Sequence, residues 1–117
     1  MDLVDAVYDV VLTFPKCEMF VLSQQMRKAS TSIPLNIAEG HGRFNDRDFR
    51  SFLRRARASE LELETQILIA LRRRYIDEPQ AGALLEQTEQ VGSLISGLIR
   101  YLSKRLRERR TTNNEPR

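Results

Sequence analysis

The segment 46–75 limits what this chain can fold into more than any other. Phe49, Phe52, Leu53, Ala56, Leu63, Ile67, Ala70, Leu71 and Tyr75 recur along it at helical spacing, so they form one core stripe. A helix of that span is about 45 Å long at 1.5 Å per residue. Other long helices have to cover such a stripe, and the flanking sequence predicts them. A first helix over 2–14 has Asp2 as N-cap and Leu3, Val7, Val10, Val11 and Phe14 on one face; Pro15 ends it by disfavouring helical backbone at Phe14. A second begins near Glu18 and carries Leu22, Met26, Ala29, Ile33 and Ile37 in alternating steps of four and three, straight through Pro34. Pro34 removes the bond to the Ser30 carbonyl and bends the helix without ending it, with the hydroxyls of Ser30, Thr31 and Ser32 at hand for the freed carbonyl. Gly40 or Gly42 then supplies a left-handed C-cap.

Asp46, with Asn45 as a competing choice, caps the third helix. "IDEPQAG" holds the next turn, with Pro79 at a helix start. The fourth helix, 79–109, displays Leu84, Thr88, Val91, Ile95, Leu98, Leu102 and Leu106. Short connections between long helices predict an all-α, antiparallel up-down four-helix bundle. One domain, 1–110, is followed by a polar tail, 111–117, expected to be frayed and flexible.

Some apolar residues do not fit the bundle interior. Val21, Leu35 and Ala38 are displaced from the main stripe of helix 2, as are Leu61 and Leu68, seven apart, and the pair Ile69 and Ile76 on helix 3. A small bundle cannot bury helices that are apolar on several faces, so these residues predict a subunit interface in a homo-oligomer. A broad core stripe with scattered surface leucines is the alternative.

Several function classes find no support. Cys17 is the only cysteine, so no intrachain disulfide forms, and it reads as a packing residue. The N-terminus carries acids where a secretory signal needs bases. The longest apolar run, "ILIAL" at 67–71, falls far short of the roughly 20 residues that span a bilayer. A cytoplasmic protein without membrane partners is expected. His41 is the only histidine and has no Cys, Asp or Glu near it at metal-ligand spacing. In "ELELET", 60–65, Glu60 and Glu64 share a face while Glu62 points elsewhere, and no Glu-x-x-His motif makes them a di-metal site. They are expected to pair with arginines of neighbouring helices or subunits. With neither a phosphate loop nor a nucleophile elbow, the expectation is no enzyme, no cofactor, no metal and no catalytic residue.

The charge points elsewhere. The net formal charge is only +3, but Arg43, Arg47, Arg50, Arg54, Arg55 and Arg57 face only Asp46 and Asp48 within 43–57. Lys104, Arg105, Arg107, Arg109 and Arg110 face only Glu108. Arg47, Arg50, Arg54 and Arg57, spaced three, four and three, line one helix face that continues through Leu61, Glu64 and Leu68. Arginine binds phosphate bidentately, so the stripe is a candidate polyanion surface. Because Phe49 and Phe52 belong to the core stripe, backbone or shape recognition is expected rather than base stacking. The candidate nucleic-acid contacts are Arg43, Arg47, Arg50, Arg54, Arg57, Lys104, Arg105 and Arg107. A solvated helix face, or salt bridges from the arginines to Glu60 and Glu64 of a neighbouring subunit, remain as alternatives.

Two motifs carry a resemblance. Ser32, Ile33, Pro34, Asn36, Ile37, Ala38, Glu39, Gly40, Gly42 and Arg43, followed by Glu62, Leu63, Glu64, Thr65 and Gln66, closely resemble the four-helix-bundle proteins encoded in bacterial 23S ribosomal RNA intervening sequences. Leu35 stands where a serine is common, Ala58 where glycine is usual, and Glu60 where the family is often apolar. The resemblance implies a ring-like homopentamer with a basic, nucleic-acid-binding surface. It makes the first motif a kinked, capped helix end with Asn36 and Glu39 at a structural junction. The chain is also similar to accessory variability proteins of diversity-generating retroelements, which implies RNA or DNA as partner. The reading is a non-enzymatic oligomer that binds nucleic acid, RNA rather than DNA. The alternative is an interaction adaptor for a reverse transcriptase or another nucleic-acid enzyme.

Overall fold

Four helices account for nearly all of the described chain: α1 (Asp2–Val11), α2 (Phe20–His41), α3 (Asp46–Arg72) and α4 (Glu78–Asn114). The computed structural model describes residues 1–14 and 20–114, with side chains up to residue 110. The readings of Pro15 and Cys17, and the start of helix 2 near Glu18, lie outside the described residues. So do the side chains of the polar tail, although the α4 backbone remains helical to Asn114, beyond the expected end at 109.

The apolar stripes became the core. Leu3, Val7 and Val11 of α1, Met26, Ala29 and Ile33 of α2, and Leu53, Ala56, Leu63, Ile67 and Ala70 of α3 are buried together with Ala81, Leu84, Ile95 and Leu102 of α4. Packing runs from α1 to α2, α2 to α3, α3 to α4 and α4 back to α1, which closes the four helices around one core. Because Leu63 and Ile67 lie fully inside it, truncating either leaves a cavity rather than a solvated gap. Ile76 departs from expectation. Placed on the second apolar face by its spacing from Ile69, it is instead buried in the core, because α3 has already ended and the turn redirects it inward.

The helix ends differ from the sequence reading in instructive ways. Asp2 is not the cap of α1 but its first residue, adding with Asp5 a negative charge that suits the helix N-terminus. Asn45, not Asp46, caps α3, its side-chain oxygen accepting from the Asp48 amide at 3.0 Å. α3 stops at Arg72 instead of residue 75. There Arg74 turns left-handed (φ 62°), its amide donates to the Leu71 carbonyl and the Tyr75 amide to that of Ala70, the paired bonds of a Schellman motif. Before α4, Asp77 and Gln80 exchange side-chain-to-backbone bonds of 2.9 and 3.0 Å, a reciprocal capping box that places Pro79 in the first turn.

α2 does continue through Pro34. The hydroxyls expected to serve the freed Ser30 carbonyl go elsewhere: Ser30 donates to the Arg27 carbonyl, Thr31 to those of Arg27 and Lys28, and Ser32 pairs with Ser59 of α3 at 2.8 Å. Neither glycine is a left-handed cap, since no glycine has positive φ. Gly40 is a packing glycine: a Cβ there would come within 2.6 Å of Phe52 Cβ, so its absence lets α2 and α3 approach. The left-handed residue is Phe44 (φ 55°).

Candidate nucleic-acid interface

The arginine face of α3 does not act as a unit, because alternate members have partners within the protein. Arg50 is half-buried; its Nη1 donates to Ser103 of α4 at 3.2 Å, while its Nε has no partner. Arg57 is drawn onto the Glu60 carboxyl of its own helix, donating to Oε1. Arg47 and Arg54 are exposed and, among the described residues, have no ion-pair partner. Arg55, also exposed, lays its guanidinium over Phe52 at 4.6 Å, and Arg43 approaches the same ring at 5.2 Å while bridging Glu39 at 2.8 Å. From spacing alone, Arg50 and Arg57 are candidate ligand contacts. The structure gives both intramolecular partners.

Glu60 explains part of that split. Its side chain is wholly buried, where the hydrophobic pattern left a gap between Ala56 and Leu63. It fits only because α4 presents Gly92: a Cβ there would overlap Glu60 Oε1 and Arg57 Nη1. Burial pushes the Glu60 carboxyl up to about 8 from an ordinary 4.5. The Glu64 carboxyl, which favours the protonated form, adds to this, as does the charge of Glu89, while Arg57 opposes the rise. The expected pairing of Glu60 with another helix or subunit is therefore corrected to a pairing within α3.

The family-motif residues form a structural joint. Asn36 donates to the Ser32 carbonyl at 2.8 Å and to its hydroxyl at 2.9 Å, and Ser32 passes the contact to Ser59. Glu62 accepts from the buried Gln66 at 3.2 Å, and Ile33 and Leu63 are core residues. His41 meets the edge of Phe49 at 5.8 Å. No group of three metal-ligating side chains occurs among the described residues.

Charge collects at the end of the bundle where the α2–α3 loop meets the last turns of α4. Asp46 anchors the two segments: Arg109 Nη1 lies 2.9 Å and Arg105 Nη2 3.3 Å from its Oδ2. Residues 39–50 and 104–110, which include Lys104 and Arg107, hold eight cations and four carboxylates. The rest of the chain has eleven and twelve, so this end carries the whole net positive charge. Away from it, Val21 and Leu35 on α2 are 64% and 68% exposed, and Leu61 and Leu68 on α3 48% and 53%, with Ala38 and Ile69 exposed beside them. No described helix is long and apolar enough to cross a membrane.

These features define an all-helical four-helix-bundle protein with one basic end. The chain belongs to the 23S rRNA-intervening sequence protein family, whose model matches residues 1–97. Its fold is similar to that of a crystallised protein of unknown function from the S23 ribosomal protein family of Bacteroides thetaiotaomicron. That match has a TM-score of 0.69 and 22% identity, and covers 83% of this chain and 97% of the other. None of the curated proteins matches it.

Proposed function

We propose that this protein is a non-enzymatic RNA-binding bundle of antiparallel up-down helices. It works as a homo-oligomer whose ring-like pentameric form is taken from the family resemblance. The observation that carries the reading is the segregation of charge: the end built from the α2–α3 loop and the α4 C-terminal turns holds an excess of four positive charges, more than the whole chain. Arginine dominates there, and its fork suits phosphate oxygens. Arg47 and Arg54 are the stripe members without an ion-pair partner among the described residues, whereas Arg50 and Arg57 serve the fold. Arg43, Lys104, Arg105 and Arg107 add cations at the basic end, Arg43 and Arg105 while also pairing with Glu39 and Asp46. The exposed Val21, Leu35, Leu61 and Leu68 supply the apolar surface that assembly would cover.

The reading is tested by titrating structured RNA with the wild-type protein and with the double variant Arg47→Ala, Arg54→Ala. Weaker binding to all sequences alike, at unchanged oligomer mass, is the expected result. Unchanged RNA affinity in the double variant would move the binding face elsewhere.

A further inference from the structure

Phe44 is the most exposed large hydrophobic side chain in the described structure, at 93%, and it sits in the middle of the basic end. It follows Arg43 and precedes the α3 cap Asn45. With Asp46, Arg47, Arg105, Leu106 and Arg109 it lines a shallow recess between the α2–α3 loop and α4. Its backbone is left-handed (φ 55°), a conformation that glycine or asparagine adopts at much lower cost than a bulky side chain. The folded chain therefore gains nothing from a phenyl ring here: the ring buries almost no surface and its backbone is unfavourable. Of the other four phenylalanines, Phe20 at the start of α2 is 59% exposed and the remaining three pack. Phe14 meets Tyr75, Phe49 meets His41 and the core, and Phe52 lies under Arg43 and Arg55.

We infer that Phe44 is a platform on which an unpaired base of bound RNA stacks, while Arg47, Arg105 and Arg109 around it hold the flanking phosphates. The inference rests on the RNA-binding reading above and narrows it to single-stranded or looped segments, since a base inside a duplex has no free face to offer. An aromatic ring accepts any base on its π face, and a cationic rim tracks the backbone on either side. Subunit contact is the competing use of an exposed ring. It fits poorly, because covering Phe44 with an apolar surface would also desolvate Asp46, Arg47, Arg105 and Arg109, which line the same recess.

The test uses the full chain and three variants, Phe44→Ala, Phe44→Trp and Phe44→Asn, with a short single-stranded oligouridylate, the same strand lacking its bases, and a perfect RNA duplex as probes. Phe44→Ala is expected to bind the single strand roughly 5- to 150-fold more weakly, in line with the loss of one stacked base, and the duplex and the baseless strand as the wild type does. The chain has no tryptophan, so in Phe44→Trp the new indole reports alone: its emission is expected to be quenched by the single strand and not by the baseless one. Phe44→Asn should melt no lower than the wild type, which separates a binding defect from a folding one. Equal single-strand binding by Phe44→Ala and wild type would overturn the platform while leaving RNA binding intact. A changed oligomer mass in Phe44→Ala would overturn it in favour of a subunit contact. Failure of the wild type to bind any of the probes would overturn the RNA-binding reading and this inference with it.

Discussion

At the scale of single residues, Glu60 has the clearest consequence for stability. Its folded carboxyl titrates near 8 and its unfolded one near 4.5, so folding favours the protonated form. The stability this contributes is complete below the unfolded value and is lost as pH rises toward 8. Thermal melts should therefore show the melting temperature falling between about pH 5 and pH 8, and Glu60→Gln should flatten that fall and melt higher at pH 8. A wild-type melting temperature that rises over this range would contradict the account. Gly92→Ala tests the same contact from α4: an added methyl must displace the Glu60–Arg57 pair, at a cost of about 1–3 kcal/mol in chemical denaturation. Little of this was legible in the sequence. The spacing of Glu60 and Glu64 points to pairing with arginines of neighbouring helices or subunits, because a charge within an apolar stripe becomes visible as buried only once the glycine opposite is known. Phe44 was not legible for a related reason: it lies in a four-residue loop where no helical period applies, and its positive φ is a property of the turn.

The elements themselves were far more legible. Unbroken spacing of Leu22, Met26, Ala29, Ile33 and Ile37 across Pro34 outweighed the proline, and α2 does run through it. The stripes of α3 and α4 became the core because burial of a continuous face decides helix placement, whereas the ends depend on a few hydrogen bonds of nearly equal worth. Hence Asn45 and not Asp46 caps α3, and Arg74 rather than a glycine takes the left-handed position after it. Asn45→Ala should lose the bond to the Asp48 amide and destabilise the fold by about 1 kcal/mol, measured by denaturant unfolding. Pro34→Ala restores an N–H to the middle of α2 and should leave the helical content measured by circular dichroism intact. A loss of helix there would mean that the proline shapes the helix instead of being tolerated by it.

For the whole molecule, two surfaces carry the functional reading: the exposed leucines and valine along α2 and α3, and the basic end. The first predicts assembly, so light scattering should give several times the 13.6 kDa of one chain; a monomer at micromolar concentration would remove the interface role of Leu61 and Leu68. The split of the arginine stripe shows why its function was only half legible. Spacing told which arginines share a face of α3, but Ser103 of α4, and Glu60 buried beneath Gly92, determine which of them face water. The second surface holds the central claim, that this bundle binds RNA through its basic end. The most direct measurement is the RNA dissociation constant across a series of salt concentrations. If the basic end neutralises phosphates, affinity falls linearly on logarithmic axes, by about 0.7 to 0.9 log units per phosphate contact for each tenfold rise in salt, and the Arg47→Ala, Arg54→Ala variant gives a shallower slope. An affinity that does not change with salt, or the same slope in wild type and variant, would contradict it.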